Sequence, residues 1–177
     1  MAALVRAAAA ADCPYEVALV ASNDPQAAGL IFAGEMGIAT WAMSHKGLKR
    51  AEFDALIDAR LRRAGIEYVA LAGYMRILSP EFVGGWEGRM INIHPSLLPK
   101  YKGLDTHARA LEAGDAVHGV SVHLVTAGLD EGPVLAQAEV PVMPGDTAET
   151  LAARVLVEEH KLYPRALADL VRSGPRT

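Results

Sequence analysis

The chain has 177 residues, 51% apolar and 21% charged, which suits one globular domain able to bury its own core. Seventeen basic and 21 acidic groups leave a net charge of −4, and no Lys/Arg run exceeds two residues. Nucleic-acid and membrane-surface partners therefore lack electrostatic support. The single cysteine, Cys13, excludes an intrachain disulfide and a cysteine-based metal site, which fits a reducing cytoplasm. No apolar stretch nears the ~20 residues that span a bilayer. The opening MAALVRAAAAAD is interrupted by Arg6 and reaches Asp12 early, so it does not read as a signal peptide.

The alanine run 7–11 predicts helix. YEVALVAS (15–22) reads as a strand, and 25–37 as a helix with Pro25 near its start and Gly37 at its end. IATWAM (38–43) is strand-like. Residues 48–65 space Phe53, Leu56, Ile57 and Leu61 at helical intervals and stop at Gly65. EYVALAG (67–73) is nearly all apolar, as in a strand covered on both faces. RMINIH (89–94) is the next strand, and 106–114 a short helix with Thr106 as its N-cap. Residues 118–126 and 134–142 flank the loop AGLDEGP and pair as a β-ribbon. A long helix over 146–171 starts in a capping box, Asp146 or Thr147 followed by Glu149 or Thr150, and Pro164 bends or divides it. This alternation predicts a Rossmann-like α/β fold with a mostly parallel sheet. Ligands of such sheets lie beyond the carboxyl ends of the strands.

Two strand ends carry unexpected polar groups. Met90, Asn92 and His94 share one face of their strand, and Ile91 and Ile93 the other. Asn92 and His94 then lie about 7 Å apart, within reach of one small reacting group. Pro95 ends the ladder at His94. An asparagine amide can donate to a developing oxyanion, and a histidine can move a proton between two amines. Equally, Asn92 can trim a strand end and His94 can be a half-buried core histidine. Asp130 in GLDEGP is either a turn former or the carboxylate that orients a histidine. Arg76 is either a solvated loop residue or part of a strand end that binds a planar heterocycle through its backbone, with Met75, Ile77 and Leu78 as the apolar wall. Arg50, which opens the helix at 48–65, faces solvent or clamps a carboxylate. His123 reads as a structural residue, or as one that supports a neighbouring site residue, more often than as a catalyst. There is no G-x-S-x-G elbow, Walker A loop or G-x-G-x-x-G, and the six histidines lack zinc spacing.

Together AGYMRILSP, INIHPSLLPKYKGLDTHARALEAG, GVSVHLVTAGLDEGPVLAQAEVPVMPGDT and EEHKLYP resemble the phosphoribosylglycinamide formyltransferases, folate-dependent transformylases of purine synthesis. The resemblance runs in order from about residue 4 to the end. It implies a single formyltransferase domain over 1–177, with 10-formyltetrahydrofolate as co-substrate, glycinamide ribonucleotide as acceptor and no metal; a homodimer is compatible with it. By this resemblance Asn92 holds the formyl oxygen, His94 handles the proton, and Asp130 favours the charged imidazolium of His94. Met75, Arg76, Ile77 and Leu78 bind the pterin-like ring through backbone groups, Val125 to Asp130 close its other side, and Arg50 holds the glutamate tail. Gly73, Ile93 and Glu159 match ribonucleotide contacts, and the loop from Lys100 to about His118 closes over the site. Family members begin with a further strand and a Gly-Ser-Asn-rich turn that cradles phosphate. The expectation is that this strand, about 15–20 residues with its turn, precedes Met1 and is central in the sheet. The same fold also serves formyltetrahydrofolate hydrolases, which carry His-His where this chain has His94-Pro95, and methionyl-tRNA formyltransferases, which need a basic C-terminal domain. A folate-binding protein without catalysis is the non-enzymatic alternative.

Overall fold

A computed structural model describes residues 1–175. In chain order the elements are α1 (Ala2–Ala8), β1 (Leu19–Ser22), α2 (Ala28–Glu35), β2 (Ala39–Ala42), α3 (Arg50–Arg63), β3 (Val69–Leu71), α4 (Pro80–Gly85), β4 (Met90–His94), α5 (Thr106–Glu112), β5 (Val117–Leu124), β6 (Val134–Pro141) and α6 (Ala148–Ser173). β1 and β2 form one parallel pair. The second sheet runs β3-β4-β5-β6. Its first pairing is parallel and the other two are antiparallel. The parallel half and the C-terminal ribbon are those expected from the alternation of patterns.

β4 is the strand between the two cores. Side chains alternate across a strand, so Ile91 enters one core and Met90 the other. Ile91 joins Val120, Val122, Leu124 and Val140 of the ribbon under the apolar face of α6, including Leu151, Val155, Leu162 and Leu170. Met90 joins Ile57 and Leu61 of α3 with Phe82, Val83 and Trp86. Burying each such side chain contributes about 1.5–3 kcal/mol. Enclosed on both faces, β4 is a rigid platform for what stands at its carboxyl end.

The helix ends follow local chemistry. Thr147 and Thr150 cap α6 reciprocally, at 3.3 and 2.9 Å. Asp146 receives Arg154 through two bonds of 2.7 and 2.9 Å. α6 runs 26 residues straight through Pro164, so the expected division into two segments does not occur. Tertiary packing of its apolar face outweighs the one hydrogen bond that proline removes. Thr106 is not the N-cap of α5. Asp105 holds that place, and the Thr106 hydroxyl instead donates to the Pro95 carbonyl at 2.7 Å. The helix expected over 7–11 lies earlier: α1 anchors Leu4 and Val5, and after Ala8 the chain turns. The exposed alanines have no side chain to bury, so propensity alone does not extend the helix. α4 went unforeseen because it is six residues long and ends in Gly84-Gly85.

Among the described residues β1 and β3 are each hydrogen-bonded on one edge only. A cavity of about 530 Å³ lies between them, lined by residues 17–23 of one and 66–74 of the other, with Leu4, Val5, Leu30 and Leu167 contributing apolar walls.

β5 also buries His118 and His123, while His107 of α5 is half-buried against His118, with ring nitrogens 3.2 Å apart. Burial pushes all three below the ordinary histidine value of 6.5. Below about pH 6.5 the unfolded chain thus binds protons that the folded chain refuses, and stability falls as pH falls. Glu159, pushed up by burial, opposes this as one group against three. Urea unfolding should show a lower midpoint at pH 5.5 than at pH 7.5; equal midpoints would contradict the assignment of three neutral buried histidines.

Candidate active site

The carboxyl end of β4 places Asn92 and His94 on the face that begins with Met90. β5 lies antiparallel beside it, and its register sets His123 directly opposite Asn92. The loop between β5 and β6 then returns Asp130 over both. Asp130 adopts a left-handed backbone, φ 52°, which aspartate tolerates better than most residues. Two positions later Gly132 passes so close to β5 that a Cβ there would overlap the Leu124 carbonyl oxygen. Only glycine allows this approach.

The buried carboxylate of Asp130 faces two rings. Its Oδ2 lies 3.3 Å from His94 Nδ1 and its Oδ1 3.5 Å from His123 Nε2. Oδ2 also accepts the Gly103 N–H at 2.9 Å. His94 Nε2 lies 2.8 Å from the Tyr101 carbonyl. His94 Nδ1 thus faces the Asp130 carboxylate and Nε2 the Tyr101 carbonyl, so each ring nitrogen has an oxygen acceptor beside it.

The His123 tautomer follows from its neighbours. Nδ1 lies 2.8 Å from the Leu124 carbonyl, which can only accept. Nδ1 thus carries the proton, and burial holds the ring below its ordinary value, hence neutral. Nε2 is then an acceptor, and Asn92 Nδ2 donates to it at 3.3 Å. This fixes the Asn92 amide with its nitrogen toward β5 and leaves its second N–H free for a ligand. His123 thus supports the site by orienting the Asn92 amide, one of the two roles its place on the strand face allows. The pairing with Asn92 is invisible in the sequence because it depends on the register of β5 against β4.

The loop after β4 covers His94. Tyr101 has φ 53° and Asp105 φ 57°. Lys102 pairs with Glu131 at 3.0 Å, and Arg109 donates to the Lys102 carbonyl at 2.7 Å. The segment expected to close over the site is thus held down on it, at Gly103 by Asp130 itself.

The other expected residues lie on several different elements. Met75 and Ile77 point outward, 77% and 58% exposed, while Arg76 and Leu78 turn inward. Val125 donates its N–H to the Met90 carbonyl at 2.8 Å, beside the same core. Arg50 is exposed at the first turn of α3. Gly73, φ 70°, leaves β3 and lines the cavity between the sheets, whereas Ile93 sits on β4 and Glu159 on α6. The geometry brings His94 to Asp130 directly and Asn92 to the same carboxylate through His123; Met75 to Leu78, Arg50, Gly73 and Glu159 make no contact with that cluster among those the structure shows. No group of three or more His, Cys, Asp or Glu side chains among the described residues is arranged to hold a metal ion. No helix among them is long and apolar enough to cross a membrane. An amide donor, a histidine between two acceptors and a fixed carboxylate make a site suited to acyl transfer between amines.

The formyl transferase family profile matches residues 1–167. A phosphoribosylglycinamide formyltransferase of Escherichia coli is 48% identical over 153 residues, 86% of this chain and 72% of that protein. The human trifunctional purine biosynthetic protein adenosine-3 is 49% identical over 160 residues, 90% of this chain. This chain spans only 12% to 16% of the length of such trifunctional relatives. A solved phosphoribosylglycinamide formyltransferase from Brucella melitensis superposes with a TM-score of 0.92 at 50% identity, covering 99% of this chain and 90% of that one. A glycinamide ribonucleotide transformylase from Symbiobacterium toebii gives 0.93 at 41% identity, over 97% and 81% of the two chains. The chain belongs to the formyl transferase family, in its phosphoribosylglycinamide formyltransferase branch.

Proposed function

We propose that the chain transfers the formyl group of 10-formyltetrahydrofolate to the amine of glycinamide ribonucleotide. The observation that carries this reading is the contact of His94 with Asp130 beside an Asn92 amide whose orientation is fixed. The free N–H of Asn92 holds the formyl oxygen and strengthens its bond as negative charge develops there. The acceptor amine attacks the formyl carbon, forming one C–N bond and an oxyanion. Collapse of that intermediate breaks the bond to N10 of the folate; His94 gives its proton to the departing nitrogen and takes up the one the attacking nitrogen loses, so the ring ends as it began. Asp130 stabilises the imidazolium and keeps its ring plane. Because His94 Nε2 lies 2.8 Å from the Tyr101 carbonyl oxygen, that hydrogen bond must open when the reacting groups enter. The covered site limits the competing attack by water.

Met75 to Leu78 and Val125 to Asp130 form the two sides of the donor's ring pocket in this reading, with Arg50 on its glutamate tail. Gly73, Ile93 and Glu159 meet the ribonucleotide. We further propose that an extended strand completes the sheet in the cavity between β1 and β3, where two ladder edges lack partners.

Formyl-donor consumption measured with and without the ribonucleotide tests the reading. Turnover should require the ribonucleotide; consumption that proceeds equally without it would assign a hydrolase instead. Asn92→Ala should lower kcat by roughly 10²–10³ with modest change in KM, as expected for a donor used in the transition state. His94→Ala should abolish measurable transfer, and wild-type turnover in either variant would overturn the assigned roles.

A further inference from the structure

The segment between β3 and α4 shows Met75 and Ile77 to solvent and presses its other side onto α3. Asp54 of α3, 1% exposed, accepts the Ser79 N–H at 2.5 Å. Ser79 in turn caps α4, accepting the Phe82 N–H at 3.3 Å. The Arg76 guanidinium lies over the ring of Phe53, 5.5 Å from its centroid. Two consecutive residues of one helix therefore grip both the middle and the end of this segment. Tyr74 belongs to the same knot: burial and the Asp54 charge push its hydroxyl up, and Arg76 draws it down.

Three atoms of the knot, Asp54 Oδ1, the Tyr74 hydroxyl and Arg76 Nε, are buried without a hydrogen-bond partner. Groups of this kind are costly in an interior, so stability alone does not explain their presence. What they do share is an address. The Asp54 carboxylate holds the Ser79 N–H and the Phe53 ring lies under the Arg76 guanidinium, so the segment above can neither lift away nor shift along α3 without breaking both contacts. Arg50 stands four residues before Asp54, hence on nearly the same helix face. One helix then sets the spacing between the ring segment and the arginine.

We propose that Asp54 is a positioning residue of the folate pocket. It holds Tyr74 to Ser79 in the shape that receives the donor's ring and keeps that shape in register with Arg50. This rests on the reading given above, in which 75–78 bind the donor.

Two measurements on Asp54→Ala and Asp54→Asn separate the two claims. Hydrogen exchange in the ligand-free chain reads the segment itself, and titration with 10-formyl-5,8-dideazafolate and with glycinamide ribonucleotide reads the two ligands. In Asp54→Ala the amides of 74–79 should exchange faster, and the folate analogue should bind about tenfold more weakly, the loss expected from one charge-assisted contact. Ribonucleotide affinity should be unchanged. Asp54→Asn, whose amide oxygen still accepts the Ser79 N–H, should recover most of the difference. Unchanged exchange and affinity in Asp54→Ala would overturn the proposal, and so would equal weakening of both ligands with a lower melting temperature, which marks a merely structural aspartate. A wild-type chain that fails to bind the analogue would remove the folate reading, while exchange would still decide whether Asp54 holds the segment.

Discussion

The site depends on where one carboxylate sits. Asp130 is buried, and a buried charge must be compensated by hydrogen bonds or opposite charge. Here the compensation comes from the Gly103 N–H and from the His94 ring at the end of β4, while the neutral His123 ring on β5 lines the other side of the carboxylate. Satisfying Asp130 therefore assembles the site. Its left-handed backbone and the Gly132 approach to Leu124 hold it from the other side. The local conformational cost is met by packing elsewhere, as at many functional positions.

Rigidity beneath the site comes from β4. Its two faces feed two cores, and its carbonyls are tied to α6 by a single hydroxyl. Tyr163, 4% exposed, donates to the Leu71 carbonyl at 2.6 Å and lies 3.1 Å from that of Ile91. These carbonyls immediately precede Ala72 and Asn92, so the long terminal helix fixes the ends of β3 and β4 relative to each other. The strand ends thus present Gly73 and Asn92 from one frame. The covering loop is held by weaker, partly exposed contacts such as Lys102–Glu131, which suits a segment that must move during turnover.

Much of this was legible in the residues. Period-two and period-3.6 patterns located every β-strand and the long helices, because burial on one or two faces leaves that mark. Asn92 and His94 stood out as polar groups on an apolar strand before Pro95. What stayed hidden depends on pairing between distant segments. The register of β5 against β4 decides that His123 meets Asn92, and a close backbone approach decides that Asp130 meets both histidines. The Thr106 hydroxyl illustrates the limit: cap preference favours it as N-cap, yet the Pro95 carbonyl eleven residues earlier takes its proton. Asp54 gave no signal at all, since a carboxylate on a charged helix reads as solvent-facing until the fold turns it inward.

The most direct test of this account is single-turnover formyl transfer by Asp130→Asn at saturating donor and ribonucleotide. Asparagine preserves size but removes the charge that faces His94. The account predicts chemistry slowed by about 10²–10⁴, in the range found when a group that orients or assists a proton-transferring histidine is lost, with the folate analogue still bound. Transfer at the wild-type rate would contradict it, because His94 would then work without the carboxylate on which the site is built.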